Sequence, residues 1–287
     1  MRAHNGGFTL IELVIVIVLT GILAVVVGPL IGRGYSAVSQ SSDRAFWVQQ
    51  AEFAFFHLRQ DLATSVPNSL RTPINGSDDQ AVEFLGFSQT QSAAALRYRQ
   101  HPFSGYDFLQ ISGDSAFDVF DTVSLTSPVY VSIGGINAEQ ILGDWRSSTQ
   151  PGSSAQIAST TARTSCDCGD CSLCPVTTLT LAASHQFRNG SPYFRAYLTD
   201  GPVAYQCADG HLLRHSGYSN LNNTDLNNRL AGESPVTARV IDSVQSCAFD
   251  WHPGTIGQPP SLTVRLSVGN AREQVQLTDT IVLGGAP

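Results

Sequence analysis

Charge is what this chain of 287 residues has least of. Only 14% of it is Asp, Glu, Lys or Arg, against about 25% in an average soluble domain. The net charge is −7, and no stretch gathers basic residues. Nucleic-acid binding needs clustered cations to neutralise phosphates, so that class is excluded. An ordered catalytic constellation is missing as well. Gly113-Asp114-Ser115 begins like a serine-hydrolase nucleophile, but Ala116 stands where the next Gly belongs, and the seven histidines form no ordered triad. The stretch "SNLNNTDLNN" (219–228) is rich in side-chain oxygens. It lacks the alternating acidic order and Gly of a calcium loop, and reads as a polar surface loop. No catalytic residue, metal site or cofactor is expected, and the chain does not read as an enzyme.

What replaces charge is Ser, Thr, Asn, Gln and Gly, a composition suited to turn-rich β structure. Apolar residues make up 42%. They are unevenly spread, because the 24 residues from Phe8 to Ile31 hold a single charge, Glu12. As a helix this run is about 36 Å long, enough to cross a hydrocarbon core of about 30 Å. A secretory signal has a shorter apolar region followed by a small-residue cleavage site. Here the order is reversed, for Gly6-Gly7 precedes the apolar run. Arg2, the amino terminus and His4 favour a cytoplasmic N-terminus, with everything after Ile31 outside.

Glu12 is costly in that setting, by about 2.5–3.5 kcal/mol deep in a bilayer and less near the interface. Two readings account for it. Either Glu12 lies close enough to the headgroups to stay wet, or it has a partner cation. Cutting the chain after Gly7 creates such a cation, the α-amine of Phe8. A neighbouring subunit displaced along the helix axis then pairs its Phe8 amine with this Glu12, and both charges are neutralised only in an assembly.

Gly7-Phe8-Thr9-Leu10-Ile11-Glu12-Leu13, followed by a continuous apolar helix, resembles the processing and assembly signature of type IV pilins and type II secretion pseudopilins. That resemblance implies cleavage between Gly7 and Phe8 by a prepilin peptidase, N-methylation of Phe8, and Glu12 as the assembly residue. Pro29 matches a proline common in the family's helices, where the missing N–H and the ring loosen or kink the helix; it also reads simply as a tolerated membrane proline. The leader departs from the pattern in carrying one basic residue where many carry more.

Past Gly32-Arg33-Gly34, Val38, Ala45, Val48, Ala51, Phe55, Leu58 and Leu62 recur at helical spacing. Ser41 interrupts this stripe, and Pro67-Asn68 end it. A helix from Phe8 to about Ser65 is about 87 Å long, and the stripe of its second half is expected to lie on a sheet. Phe46, Trp47, Phe53, Phe55 and Phe56 are too widely spread for one face. Most are expected in the core, with some facing a neighbouring subunit.

From Ser69 onward the pattern changes to short strands. Candidates are 81–87, 94–99, 117–125, 128–133, 176–182, 193–198, 201–207, 211–216, 238–251, 261–268 and 273–283, several of them alternating apolar and polar residues. The fold class expected is α+β, a type IV pilin-like architecture in which a long N-terminal membrane-spanning α-helix packs on an antiparallel β-sheet head. The divisions expected are a cleaved leader (1–7), a membrane or filament-core helix (8–33), its amphipathic continuation (34–66) and a head (67–287). Segment 134–175 is the least regular, and is the expected boundary if the head has two halves.

Phrases along the head, "HLRQDLATSVPNSLR" (57–71), "VEFL" (82–85), "LRYR" (96–99), "VAYQC" (203–207), "GHLLRHSGY" (210–218) and "VIDSVQSCAFDW" (240–251), resemble the large minor pilin-like proteins of MSHA pilus biogenesis. They are similar more distantly to the J-type minor pseudopilins of type II secretion.

Six cysteines permit three disulfides outside the cytoplasm. Cys166, Cys168, Cys171 and Cys174 lie too close together for the two separated ligand pairs usual for zinc, and they miss the iron–sulfur spacing. They read as disulfide-forming, with connectivity open. Cys207 and Cys247 sit in two strand-like stretches, and a cross-strand disulfide there is the reading that the MSHA resemblance favours.

The function expected is a minor pilin acting in pilus assembly, initiation or at the tip. Its partners are other pilins through the helix, the prepilin peptidase, the inner-membrane assembly platform and membrane lipid. The alternatives are a J-type pseudopilin, and a tip adhesin, since a head of over 200 residues exceeds what packing in a filament needs. The location expected is the bacterial inner membrane, N-terminus cytoplasmic and head periplasmic, then the filament.

Overall fold

The computed structural model describes residues 9–72, 80–88, 95–99, 106–125, 129–147, 149–163, 176–219, 221, 226–255 and 257–283. It divides into two compact units, Met1–Gln49 and Gln50–Pro287. One helix, α1 (Leu10–Ala63), runs through the first unit and into the second.

Within the second unit α1 buries Ala51, Ala54, Phe55, Leu58 and Leu62. These spacings of three and four put one stripe against the sheets, and each fully buried Leu or Phe contributes about 1.5–3 kcal/mol. Val38 and Ala45, expected on the stripe, are exposed, and Val48 is half-buried. The aromatic cluster corrects a further expectation. Only Trp47 and Phe55 are buried, whereas Phe46, Phe53 and Phe56 are exposed. Five aromatics within eleven residues occupy too much of a helix's circumference for the single face that meets the sheets.

Among the described residues, thirteen strands follow in three antiparallel sheets. The first sheet joins β1 (Ala81–Gly86), β8 (Gly201–Ala208), β9 (His211–Ser216) and β10 (Val236–Ile241), in that order. The second joins β11 (Val244–His252), β12 (Ser261–Gly269) and β13 (Gln274–Val282). The third has the order β2-β7-β4-β5-β6-β3. Its strands are β2 (Ala95–Arg97), β3 (Asp114–Val119), β4 (Val129–Ser132), β5 (Ser154–Arg163), β6 (Val176–His185) and β7 (Arg195–Thr199). Phe117, Val129, Val131, Leu179, Ala196 and Leu198 fill its core.

The helix end is tied to the first two sheets. The Asp61 carboxylate accepts from the Tyr205 hydroxyl at 2.7 Å and from Arg214 Nε at 2.6 Å. Burial and the Asp61 charge push the Tyr205 phenol above its ordinary range. Arg59 reaches Asp279 on β13 at 2.6 Å. The chain leaves α1 by joining β1, for Val66 N–H donates to the Leu85 carbonyl and Phe87 N–H to the Thr64 carbonyl.

Among its described residues, segment 134–175 is more regular than expected. It carries α2 (Ala138–Asp144) and β5, and β5 pairs with β4 before it and β6 after it. Asn137 caps α2, its side chain accepting from Gln140 N–H at 2.9 Å. The stretch 238–251, expected as one strand, breaks at Asp242-Ser243, where Ser243 takes a left-handed φ of 60°. The strand expected at 117–125 starts earlier and stops at Val119.

Candidate assembly site

The N-terminal apolar run is helical from Leu10 onward. Thr9 caps it, its carbonyl accepting from Glu12 N–H at 3.1 Å and Leu13 N–H at 3.2 Å. Glu12 therefore stands in the first turn, where the helix dipole favours a carboxylate. Its side chain is exposed. Gly7 and Phe8, the two sides of the expected cleavage bond, lie outside the described residues.

From Leu13 to Ile31 the helix is apolar all round. None of the residues in its most apolar stretch is buried. Its one hydroxyl before Gly21 is satisfied internally, since Thr20 Oγ1 donates to the Val16 carbonyl at 2.7 Å and also lies 3.0 Å from that of Ile17. Pro29 sits inside the continuous helix and offers no N–H to the Val25 carbonyl. A helix with no polar face is covered by lipid or by other helices.

Cys207 on β8 and Cys247 on β11 form a disulfide with Cα atoms 6.3 Å apart. The two strands belong to different sheets, so the bond staples sheet to sheet and does not cross between paired neighbours. Cys166, Cys168, Cys171 and Cys174 lie outside the described residues. Gly113 lies in the turn before β3, and Asp114 and Ser115 open that strand. The Asp114 carboxylate accepts from the backbone N–H groups of Gln110, Ser115 and Ala116. In the polar stretch 219–228, Ser219 is held by Glu233, and Leu226 opens the short helix α3 (Leu226–Leu230). Among the described residues no group of three or more His, Cys, Asp or Glu side chains is arranged to hold a metal.

One cluster in the head has no counterpart in the sequence expectations. Glu83 on β1 is fully buried. It accepts from Arg71 Nε at 2.8 Å, Arg229 Nη1 at 2.6 Å and the Tyr218 hydroxyl at 2.7 Å. Arg229 and Tyr218 are themselves buried. Burial and the Glu83 charge push the Tyr218 phenol well above its ordinary range. Two guanidiniums on one carboxylate fix β1, α3 and the loop after β9 as one block. The sequence signal was a lone carboxylate inside an otherwise apolar strand, "AVEFLG".

Residues 2–28 match the family model of the prokaryotic N-terminal methylation motif. No curated protein and no solved structure matches the chain. The motif supports a type IV pilin or pseudopilin-like protein, which is a structural subunit that assembles with other pilins and is processed by a prepilin peptidase. The uncovered apolar helix fits a membrane-anchored protein of that kind.

Proposed function

We propose that this chain is a minor pilin of an MSHA-type type IV pilus, similar to MshO, that acts in pilus initiation or at the tip. The observation that carries the reading is the placement of Glu12 in the first turn of a helix whose N-terminal apolar run is exposed. It stands within the 2–28 match to the methylation motif. Processing between Gly7 and Phe8 leaves an α-amine four residues before that carboxylate. In a staggered neighbour, amine and carboxylate meet at one depth, and each removes the other's desolvation cost.

Insertion precedes assembly. The helix enters the inner membrane with the N-terminus cytoplasmic and the head periplasmic. The Cys207–Cys247 disulfide supports that placement of the head, because such bonds persist in oxidising compartments. Pro29 leaves one backbone carbonyl free and loosens the helix where it passes from lipid to filament. The J-type pseudopilin of type II secretion shares this helix chemistry. The phrases along the head favour the pilus.

Glu12→Ala tests the pairing. The variant is expected to insert and to be cleaved normally, and to be missing from sheared filaments. Normal incorporation contradicts the reading.

A further inference from the structure

One open sheet edge borders a cleft in the head. β13 is an outer strand of the three-stranded sheet, whereas β2 is met on its outer side by the end of β3, for Tyr98 bridges Val119 and Phe120 N–H donates to the Arg97 carbonyl. Ala95 of β2 and Thr280, Ile281 and Val282 of β13 line a cavity of about 770 Å³. Leu62, Val66 and Trp251 give it apolar walls. A second cavity of about 540 Å³ adjoins it and shares Arg195 and Tyr197.

β13 differs from the other edges. Exposed edges are normally blunted by bulges, Lys, Pro or brevity. β10 and β11 each carry a bulge, β1 is bridged by Ser65 and Arg71, and β2 and β3 meet each other where Tyr98 bridges Val119. β13 runs nine residues in unbroken register with β12. It contains no Lys, Pro or Gly. Its one charge, Asp279, is neutralised by Arg59. Among the described residues no strand pairs with its outer side.

The charge of the cleft is one-sided. Among the described residues no Asp or Glu lines either cavity. Arg59 is occupied by Asp279. Arg195, in the wall common to both, has a side chain with no hydrogen bond or ion pair among the described residues. Beside it, Tyr197 stacks on Phe87 with ring centroids 5.6 Å apart.

We propose that this cleft takes an extended segment of a partner protein. The segment adds to the outer side of β13 through main-chain hydrogen bonds. It buries an apolar side chain between Leu62, Val66 and Trp251, and sets an Asp or Glu carboxylate on Arg195. A peptide fits better than a saccharide, because a strand edge is matched by a backbone of alternating N–H and C=O groups, and the walls are aliphatic. This docking is independent of the helix pairing through Glu12, and a Glu12→Ala protein retains it.

An array of immobilised decapeptides tests it. Each carries a Leu-Val-Phe core followed by Asp, with an Asn twin, and the full-length chain in detergent is the probe. Asp peptides are expected to retain about tenfold more protein than their twins, as a charge-assisted contact gives. Arg195→Gln is expected to abolish the difference and Arg272→Gln to leave it. N-methylation of alternate peptide amides in one phase, and not in the other, is expected to abolish retention. Equal retention of the twins, a preference that survives Arg195→Gln, or an equal effect of both methylation phases overturns the proposal. So does Arg195-dependent capture of a uronic-acid oligosaccharide in place of the peptides.

Discussion

Arg229 grips Glu83 through both carboxylate oxygens, at 2.6 and 2.5 Å, with both side chains out of reach of solvent. The residues are 146 positions apart. A charge pair so deeply buried contributes little net stability over an apolar pair, but breaking it from one side is expensive. Glu83→Gln leaves two guanidiniums, Arg71 and Arg229, without a counter-charge. It is expected to destabilise the head by about 3–5 kcal/mol. For a domain of this size that lowers the unfolding temperature by on the order of 10 °C. Thermal unfolding of the full chain in detergent, followed by near-UV circular dichroism, checks it. A shift below about 2 °C contradicts the assignment of Glu83 as the pivot.

The disulfide is expected to act on stability in the same unit by another route. Cys207 and Cys247 enclose a loop with a sequence separation of 40. Closing such a loop stabilises by about 2–4 kcal/mol through the unfolded chain. The double variant Cys207→Ser/Cys247→Ser is expected to unfold at lower denaturant by that amount. Its urea midpoint against that of the oxidised parent is the measurement. Coincident midpoints contradict a stapling role.

Acid sensitivity follows from two histidines. Burial lowers the His185 imidazole below its ordinary value of 6.5, opposed by the Gly152 carbonyl and by Asp144. Burial lowers His215 as well. A histidine that is harder to protonate when folded favours the unfolded chain once protons become available. The stability it contributes is full above pH about 6.5 and is lost as the pH falls from there toward the depressed folded value. Stability is therefore expected to decline as the pH falls below about 6.5. His185→Gln/His215→Gln is expected to flatten that decline, as measured by urea unfolding at pH 7.5 and 5.5. An unchanged slope in the double variant contradicts the assignment.

The helix was legible because its signal is local. A run of 24 residues with one charge needs no tertiary context, and Glu12 stands out within it. Most strands were legible by alternation, and β12 and β13 lie within one residue of expectation. β5 was hidden, since "SAQIASTTAR" has few large apolar residues and is buried only at its start. It is a strand because β4 and β6 flank it. The aromatic cluster misled because Phe46, Phe53 and Phe56 carry the composition of a core but point away from the sheets. Glu83, Arg71, Tyr218 and Arg229 form a site only through long-range folding. Nothing in the spacing of those residues announces it.

The central claim is that the Gly7–Phe8 bond is a processing site and Glu12 the carboxylate that receives the new amine. The most direct measurement is the mass of the N-terminal peptide of the protein purified from its native cell. The account predicts a chain that begins at Phe8 and carries one N-methyl group. A chain that still begins at Met1 contradicts it and leaves a single-span membrane protein in which Glu12 has no assembly partner.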